Sequence, residues 1–252
     1  MKAVLKYPGA KWRISEWIIS HFPEHKVYCE PFFGSGAVFF NKPQTYIETI
    51  NDIDGNIVNL FKVCRDNPEE LARLIEFTPF AREEFEDCYD KSADPIEQAR
   101  RTLVRYHQSF GTSNSSKKSW RNVQTYGGPR TATMWNYLPG RIFEICDRLK
   151  AAQIENIDAI ELIRRYNDEN TLLYCDPPYL QSLRRKNIYS YELSEEYHLN
   201  LLSVLKESKS KIVLSGYDSQ LYNSMLSGWN TDEKQTTAQM GKHRVEKIWF
   251  NF

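Results

Sequence analysis

The chain has 252 residues, enough for one large domain or a core domain carrying an insertion. Its 33 Lys plus Arg balance 33 Asp plus Glu, so net charge selects no partner, while 41% hydrophobic and 26% charged residues exclude a wholly disordered chain. No apolar run approaches the ~18 residues of a membrane helix, and the start, MKAVLKYPGAKWR, lacks the apolar region of a secretory signal. Five cysteines stand singly, and neither they nor the five histidines show metal-ligand spacing. These features predict a soluble cytoplasmic protein with reduced thiols and no metal.

In chain order, residues 13–21 predict a helix, VYCE at 27–30 and TYIETI at 45–50 predict strands, and 55–65 predict a second helix. After an interval without this alternation come helices at 142–152 and 159–166, the strand TLLYC at 171–175 and a helix at 195–207. The strand KIVLS at 211–215, a helix at 219–227 and a closing strand at 245–252 complete the series. Short apolar strands alternating with helices predict an α/β fold, a mostly parallel sheet with helices on both faces. Residues 1–64 and 141–252 are assigned to that core and residues 65–140 to an inserted helical and loop module.

The balanced charge total conceals a local asymmetry. Residues 65–90 hold nine acids against three arginines, whereas 100–141 hold eight cations and no acid: Arg100, Arg101, Arg105, Lys117, Lys118, Arg121, Arg130 and Arg141. Tyr106, Phe110, Trp120, Tyr126, Trp135 and Tyr137 interleave with them, and Gly, Ser, Thr and Asn dominate between 111 and 131. A cationic, aromatic, loop-rich surface has the chemistry for phosphate and base contact. A basic loop paired against the preceding acidic segment explains the same pattern.

Three stretches that carry chemistry fall just past predicted strands, where open parallel sheets bind ligands. Glu30-Pro31-Phe32-Phe33-Gly34-Ser35-Gly36 follows the first strand, and its glycines permit a tight turn with close ligand approach. Asn51-Asp52-Ile53-Asp54 closes the second, with Asp54 suited to cap the next helix and Asp52 to accept hydrogen bonds from ribose hydroxyls. Asp176-Pro177-Pro178-Tyr179 follows TLLYC. Its prolines stop the strand, its Asp and first Pro carbonyl are acceptors for an exocyclic amine, and its Tyr offers a stacking face. A rigid strand-ending turn with a capping Asp fits that tetrapeptide equally well.

Together these stretches resemble the DNA adenine-N6 methyltransferases of the Dam type, the alpha group in motif order. EPFFGSG resembles their S-adenosyl-L-methionine (AdoMet) loop and DPPY their catalytic motif, with the target-recognition insertion between them. KYPGAKWR at 6–13 is similar to their N-terminal cofactor segment, and SGYDSQLY at 215–222 and VEKIWFNF at 245–252 to their late motifs. The resemblance implies a Rossmann-like AdoMet-dependent methyltransferase fold that transfers a methyl group to N6 of a flipped adenine in double-stranded DNA. It places Tyr7, Lys11, Phe32, Gly34 and Gly36 at the methionyl end of AdoMet, Asp52 on the ribose, and Ile157 and Asp158 beside the cofactor adenine. Asp176, Pro177, Pro178 and Tyr179 are the implied catalytic group, with Asp176 also next to the cofactor. Lys6, Arg105, Lys117, Lys118, Arg121, Arg130, Arg184 and Arg185 are the candidate DNA contacts.

Members that read GATC carry a characteristic run where this chain has Tyr106-His107-Gln108-Ser109-Phe110-Gly111-Thr112-Ser113-Asn114. Phe110 and Gly111 match it and the rest does not, so GATC specificity is not implied. RNA methylation, or a catalytically idle DNA-binding protein of the same fold, is the alternative. The resemblance further implies action on the bacterial nucleoid, with any cognate restriction endonuclease a separate protein. Oligomeric state stays open.

Overall fold

The computed structural model describes residues 1–110, 119–124, 126, 128, 130–183, 189, 191–237 and 243–252. Helix α1 (Ser15–Ile19) precedes strands β1 (Val27–Glu30) and β2 (Ile47–Asn51) and helix α2 (Gly55–Asp66). Helices α3 (Pro68–Phe77), α4 (Arg82–Asp87), α5 (Pro95–Gln108) and α6 (Thr131–Trp135) follow, then α7 (Leu138–Lys150) and β3 (Gln153–Glu155). The chain continues through α8 (Ala159–Arg165), β4 (Thr171–Cys175), α9 (Glu195–Glu207), β5 (Lys211–Gly216) and α10 (Gln220–Met225), and ends in the hairpin β6 (Asn230–Thr237) and β7 (His243–Phe250).

The seven strands form one sheet in the order β3-β2-β1-β4-β5-β7-β6. Strands β1 to β5 are parallel, while β7 runs antiparallel to both β5 and β6. Strand order reverses between β1 and β4, which opens a crevice at their carboxyl ends. The turns after Glu30 and Cys175 flank that crevice although they lie far apart in sequence.

Side chains on the central strands alternate between two apolar layers, as a sheet covered on both faces requires. Tyr28, Leu172, Tyr174, Val213 and Ile248 enter one layer with α2, α3, α5 and α7. Cys29, Leu173, Cys175, Ile212, Leu214 and Trp249 enter the other with α8, α9 and α10. Every residue of β4 is buried, which explains its unbroken apolar run. Asp54, Asp94, Asp158 and Ser194 cap α2, α5, α8 and α9 by accepting hydrogen bonds from first-turn amides. Glu48, buried on β2, is gripped by Arg148 and Lys42, which ties α7 to the sheet.

The expected α/β architecture is present, a mostly parallel sheet flanked by helices. Helices α3 and α5 do not stand apart from it, since α5 packs on α2 and α3 on α7. Two strands escaped the sequence reading, β3 and β6, both at sheet edges. Helix α7 begins at Leu138, earlier than expected, with Pro139 in its first turn where the missing N–H costs nothing. All five cysteines are free and buried. No helix of the described residues is long and apolar enough to cross a membrane.

Candidate functional site

The crevice between β1 and β4 is a cleft of about 1010 Å³, counting its open mouth. Its first wall is the turn after β1. Gly34 (φ +51°) donates its N–H to Asp52 Oδ2 at 2.8 Å, and a Cβ there would fall 2.9 Å from the Tyr7 ring. Gly36 (φ +66°) answers a different need, because its Cβ would sit 2.4 Å from the Phe33 ring and 2.7 Å from Phe40. Gly34 therefore lines the cleft beside Phe32 and Tyr7, whereas Gly36 lies beneath it as a packing position.

Asp52 forms the second wall. Its Oδ1 accepts from the Asp54 N–H at 2.9 Å, and burial raises the carboxyl to about 6 against the pull of its backbone donors. Asp54 turns away and caps α2 by accepting from the Asn56 N–H at 3.0 Å. Asp158 lines the cleft too, with Oδ2 accepting from the Tyr197 hydroxyl at 2.8 Å while Oδ1 caps α8. Ile157 does not line it: its N–H donates to Asn51 Oδ1 at 3.0 Å and its side chain packs against the second apolar layer. The apolar wall next to Asp52 is instead Ile53, 46% exposed, which the sequence reading did not single out.

The third wall is the turn after β4. Asp176 Oδ2 accepts from Lys11 Nζ at 2.8 Å, and Oδ1 accepts from Ser215 Oγ at 2.8 Å. The Tyr174 hydroxyl lies 3.1 Å behind Ser215 Oγ. Burial alone would lower the Lys11 ammonium, but the Asp176 and Glu246 carboxylates hold it above its ordinary range. Lys11 lines the cleft as expected, yet its charge is directed at Asp176. Glu30, 2% exposed, also faces the cleft; burial pushes its carboxyl up to about 8, opposed by a hydrogen bond from the Tyr28 hydroxyl at 2.6 Å.

Pro178 lines the cleft and Pro177 is buried. Tyr179, 5% exposed, sits behind them with its hydroxyl donating to Glu246 Oε2 at 2.6 Å. Lys11 Nζ lies 4.7 Å from the centre of its ring, and the Tyr217 ring packs at 4.4 Å and 63°. Ser215, Glu246 and Glu30 were not among the expected site residues. Ser215 and Glu246 do lie within the two late segments, which pointed to the stretch but not to the residue.

The basic residues divide by use. Arg100 pairs with Glu84 at 2.6 Å and Glu97 at 2.7 Å, and Arg101 with Glu97 at 2.7 Å. The Arg105 guanidinium, half-buried, lies 4.9 Å from the Tyr89 ring centre. Lys6, Arg121 and Arg141 converge, and burial followed by those two arginines lowers the Lys6 ammonium to about 8. Arg121 and the exposed Arg130 line a second, wider cleft with Phe80 and Trp120. Lys117, Lys118, Arg184 and Arg185 lie outside the described residues. Among the described residues no group of three His, Cys, Asp or Glu side chains is placed to hold a metal ion.

Similarity to known proteins runs along nearly the whole chain. It is 26% identical over 253 residues to the DNA adenine methylase of Haemophilus influenzae, covering 89% of this chain and 82% of that one. The Escherichia coli K12 DNA adenine methylase is 24% identical over 235 residues, with 87% and 82% covered. A type II methyltransferase of Lactococcus lactis subsp. cremoris is 25% identical over 281 residues, with 96% and 90% covered. The model of one family matches residues 7–240, a span that takes in all three walls of the cleft. The chain belongs to the D12 class N6 adenine-specific DNA methyltransferases.

Proposed function

We propose that the protein transfers the methyl group of AdoMet to N6 of an adenine in double-stranded DNA, with residues 65–140 as the target-recognition module. The observation that carries this reading is the Asp176 carboxylate, oriented by Lys11 and Ser215 on the same cleft that Asp52 lines. The residues present fit the cofactor. Each Asp52 oxygen accepts one backbone N–H and keeps a lone pair for a ribose hydroxyl. Phe32 and Ile53 supply apolar wall, and Gly34 lets the Tyr7 ring close against the turn, where a Cβ would come within 2.9 Å of it. Tyr7, Lys11 and Asp158 complete the set that would hold AdoMet.

Bound there, AdoMet supplies an electrophilic sulfonium methyl group. Adenine N6 is a poor nucleophile because its lone pair is delocalised into the ring. Hydrogen bonds from N6–H to the Asp176 carboxylate and the Pro177 carbonyl favour a tetrahedral nitrogen and localise that pair. Pro177 and Pro178 give the acceptors a rigid backbone, and Lys11 and Ser215 fix the carboxylate from either side, so orientation is provided before the substrate arrives. An adenine inside a duplex is out of reach, so the base must leave the stack at a cost of a few kcal/mol, offset by contacts from Lys6, Arg121 and Arg130 to the DNA.

The test is expression in a host lacking adenine methylation, with N6-methyladenine mapped across its genome. One modified motif is expected, and Asp176→Ala should lower transfer by at least about a hundredfold while cofactor binding persists. An active Asp176→Ala enzyme would remove the proposed mechanism.

A further inference from the structure

We propose that Glu246, on the antiparallel strand β7, is a positioning residue for the target base, acting by fixing the ring of Tyr179. This rests on the functional reading above and on the expectation from the sequence that the Tyr179 ring is the stacking face for the flipped adenine.

The turn that carries Tyr179 is stiff in its main chain but not in its side chain. Two consecutive prolines restrict the backbone at 177 and 178. The second side-chain torsion of a tyrosine, by contrast, is broad and twofold, so the backbone does not set the tilt of the ring. Stacking depends on that tilt, because offset parallel contact is lost as the planes diverge. Contacts beyond the backbone therefore set it, and β7 supplies one of them at the hydroxyl.

Strand β7 pairs with β5 so that Ser215 faces Ile248 and Gly216 faces Lys247. That register brings Glu246 to the carboxyl edge of β5, beside the site. There its Oε2 accepts the Tyr179 hydroxyl at 2.6 Å, a short bond to a phenol that is itself buried. Burial, Asp176 and Glu246 together raise the phenol well above its ordinary range, so it stays a donor. The same strand steadies the neighbouring ring, since Arg244 Nη1 donates to the Tyr217 hydroxyl at 2.6 Å. Tyr179 is thus held at its tip by Glu246, while Lys11 and Tyr217 bear on the ring itself.

Glu246 also contributes to keeping the Lys11 ammonium protonated, so a purely electrostatic role must be separated from an anchoring one. Gln at this position keeps an acceptor oxygen and removes the charge, whereas Ala removes both. The experiment measures kcat and KM for duplex DNA containing the mapped site, cofactor Kd, and the fluorescence of 2-aminopurine at the target position. Glu246→Ala should lower kcat/KM for DNA by roughly ten- to hundredfold, the scale of a hydrogen bond to a charged group, and weaken the 2-aminopurine signal. Cofactor Kd should stay within about twofold and Glu246→Gln should restore most of the loss. Tyr179→Phe should reproduce the Glu246→Ala defect, and the double variant should be no worse than either single one.

A Glu246→Ala enzyme indistinguishable from wild type overturns the proposal. So do a fully active Tyr179→Phe, a Glu246→Gln as impaired as the alanine variant, or additive losses in the double variant. Should Glu246→Ala fold poorly, Tyr179→Phe deletes one oxygen only and decides alone. Absence of transfer by the wild-type enzyme would refute the functional reading instead, which keeps the two failures distinct.

Discussion

Glu30 offers a quantitative test of the electrostatics of the cleft. Its carboxyl is raised from the ordinary value of 4.5 to about 8, first by burial and further by the Asp176 charge, with the Tyr28 hydroxyl pulling the other way. The unfolded chain releases this proton near 4.5 and the folded chain only near 8, so between those values the folded state binds more protons. Stability must therefore fall as pH rises through that window. At about 1.4 kcal/mol per pH unit, the loss reaches about 3 kcal/mol at pH 7 and about 4 kcal/mol at pH 8. Glu30→Gln removes the titration while its amide oxygen still accepts the Tyr28 hydroxyl. Urea unfolding of both proteins from pH 5 to pH 8 is the assay. The two should be within about 1 kcal/mol at pH 5, and the variant should be more stable by several kcal/mol at pH 8, a large share of a typical domain's total. A difference that does not change with pH would refute the reasoning, because Glu30 would then ionise at similar pH folded and unfolded.

Two further perturbations probe the fold and the DNA surface. Gly36→Ala combines a left-handed backbone angle with a Cβ 2.4 Å from the Phe33 ring, so it should destabilise by about 2–4 kcal/mol in urea unfolding. Gly140→Ala, whose Cβ meets nothing within 4 Å, should be neutral or stabilising, and equal losses at both sites would contradict the packing argument. Neutralising Lys117, Lys118 and Arg121 together should reduce the slope of log affinity against log salt by up to about 2.7, at ~0.9 per phosphate contact. An unchanged slope would take these residues out of the DNA interface.

What was legible in the sequence is what local chemistry determines. TLLYC reads as a central strand because burial on both faces demands an unbroken apolar run, and the two prolines after it end that strand. The Asp54 cap was also readable, since a cap must lie directly before its helix. Strand β6, NTDEKQTT, carries no apolar alternation: it is an edge strand, held in register by eight residue pairs with β7 rather than by burial. Strand β3 has three residues, too few for a periodic signal. The site partners that escaped are long-range. Ser215 reaches Asp176 across 39 residues and Glu246 reaches Tyr179 across 67, and only strand order brings them together. Ile157 and Ile53 show the same limit, for both are isoleucines near the ends of edge-side strands and the register decides which one faces the cleft.

The charge asymmetry of residues 65–141 contains two different arrangements. Part of it is internal: Glu84 of the acidic segment pairs with Arg100 and so helps to hold α4 against α5, while Glu97, on α5 itself, pairs with both Arg100 and Arg101. Two other described cations of that stretch, Arg121 and Arg141, behave otherwise. Lys6 arrives from the start of the chain and meets Arg121 and Arg141, the latter on α7, with the Arg141 guanidinium anchored on the Ala3 carbonyl at 2.9 Å and Arg121 on the Ser109 carbonyl at 3.1 Å. Carbonyl partners orient these side chains without cancelling their charge, so the three cations repel, and the lowered Lys6 ammonium records that repulsion on top of burial. Such an arrangement raises the free energy of the unbound protein and lowers it again when a polyanion is bound. On the proposed function, DNA bound with its target base at the cleft relieves the repulsion among Lys6, Arg121 and Arg141. Electrostatics thus contributes to positioning as well as to affinity.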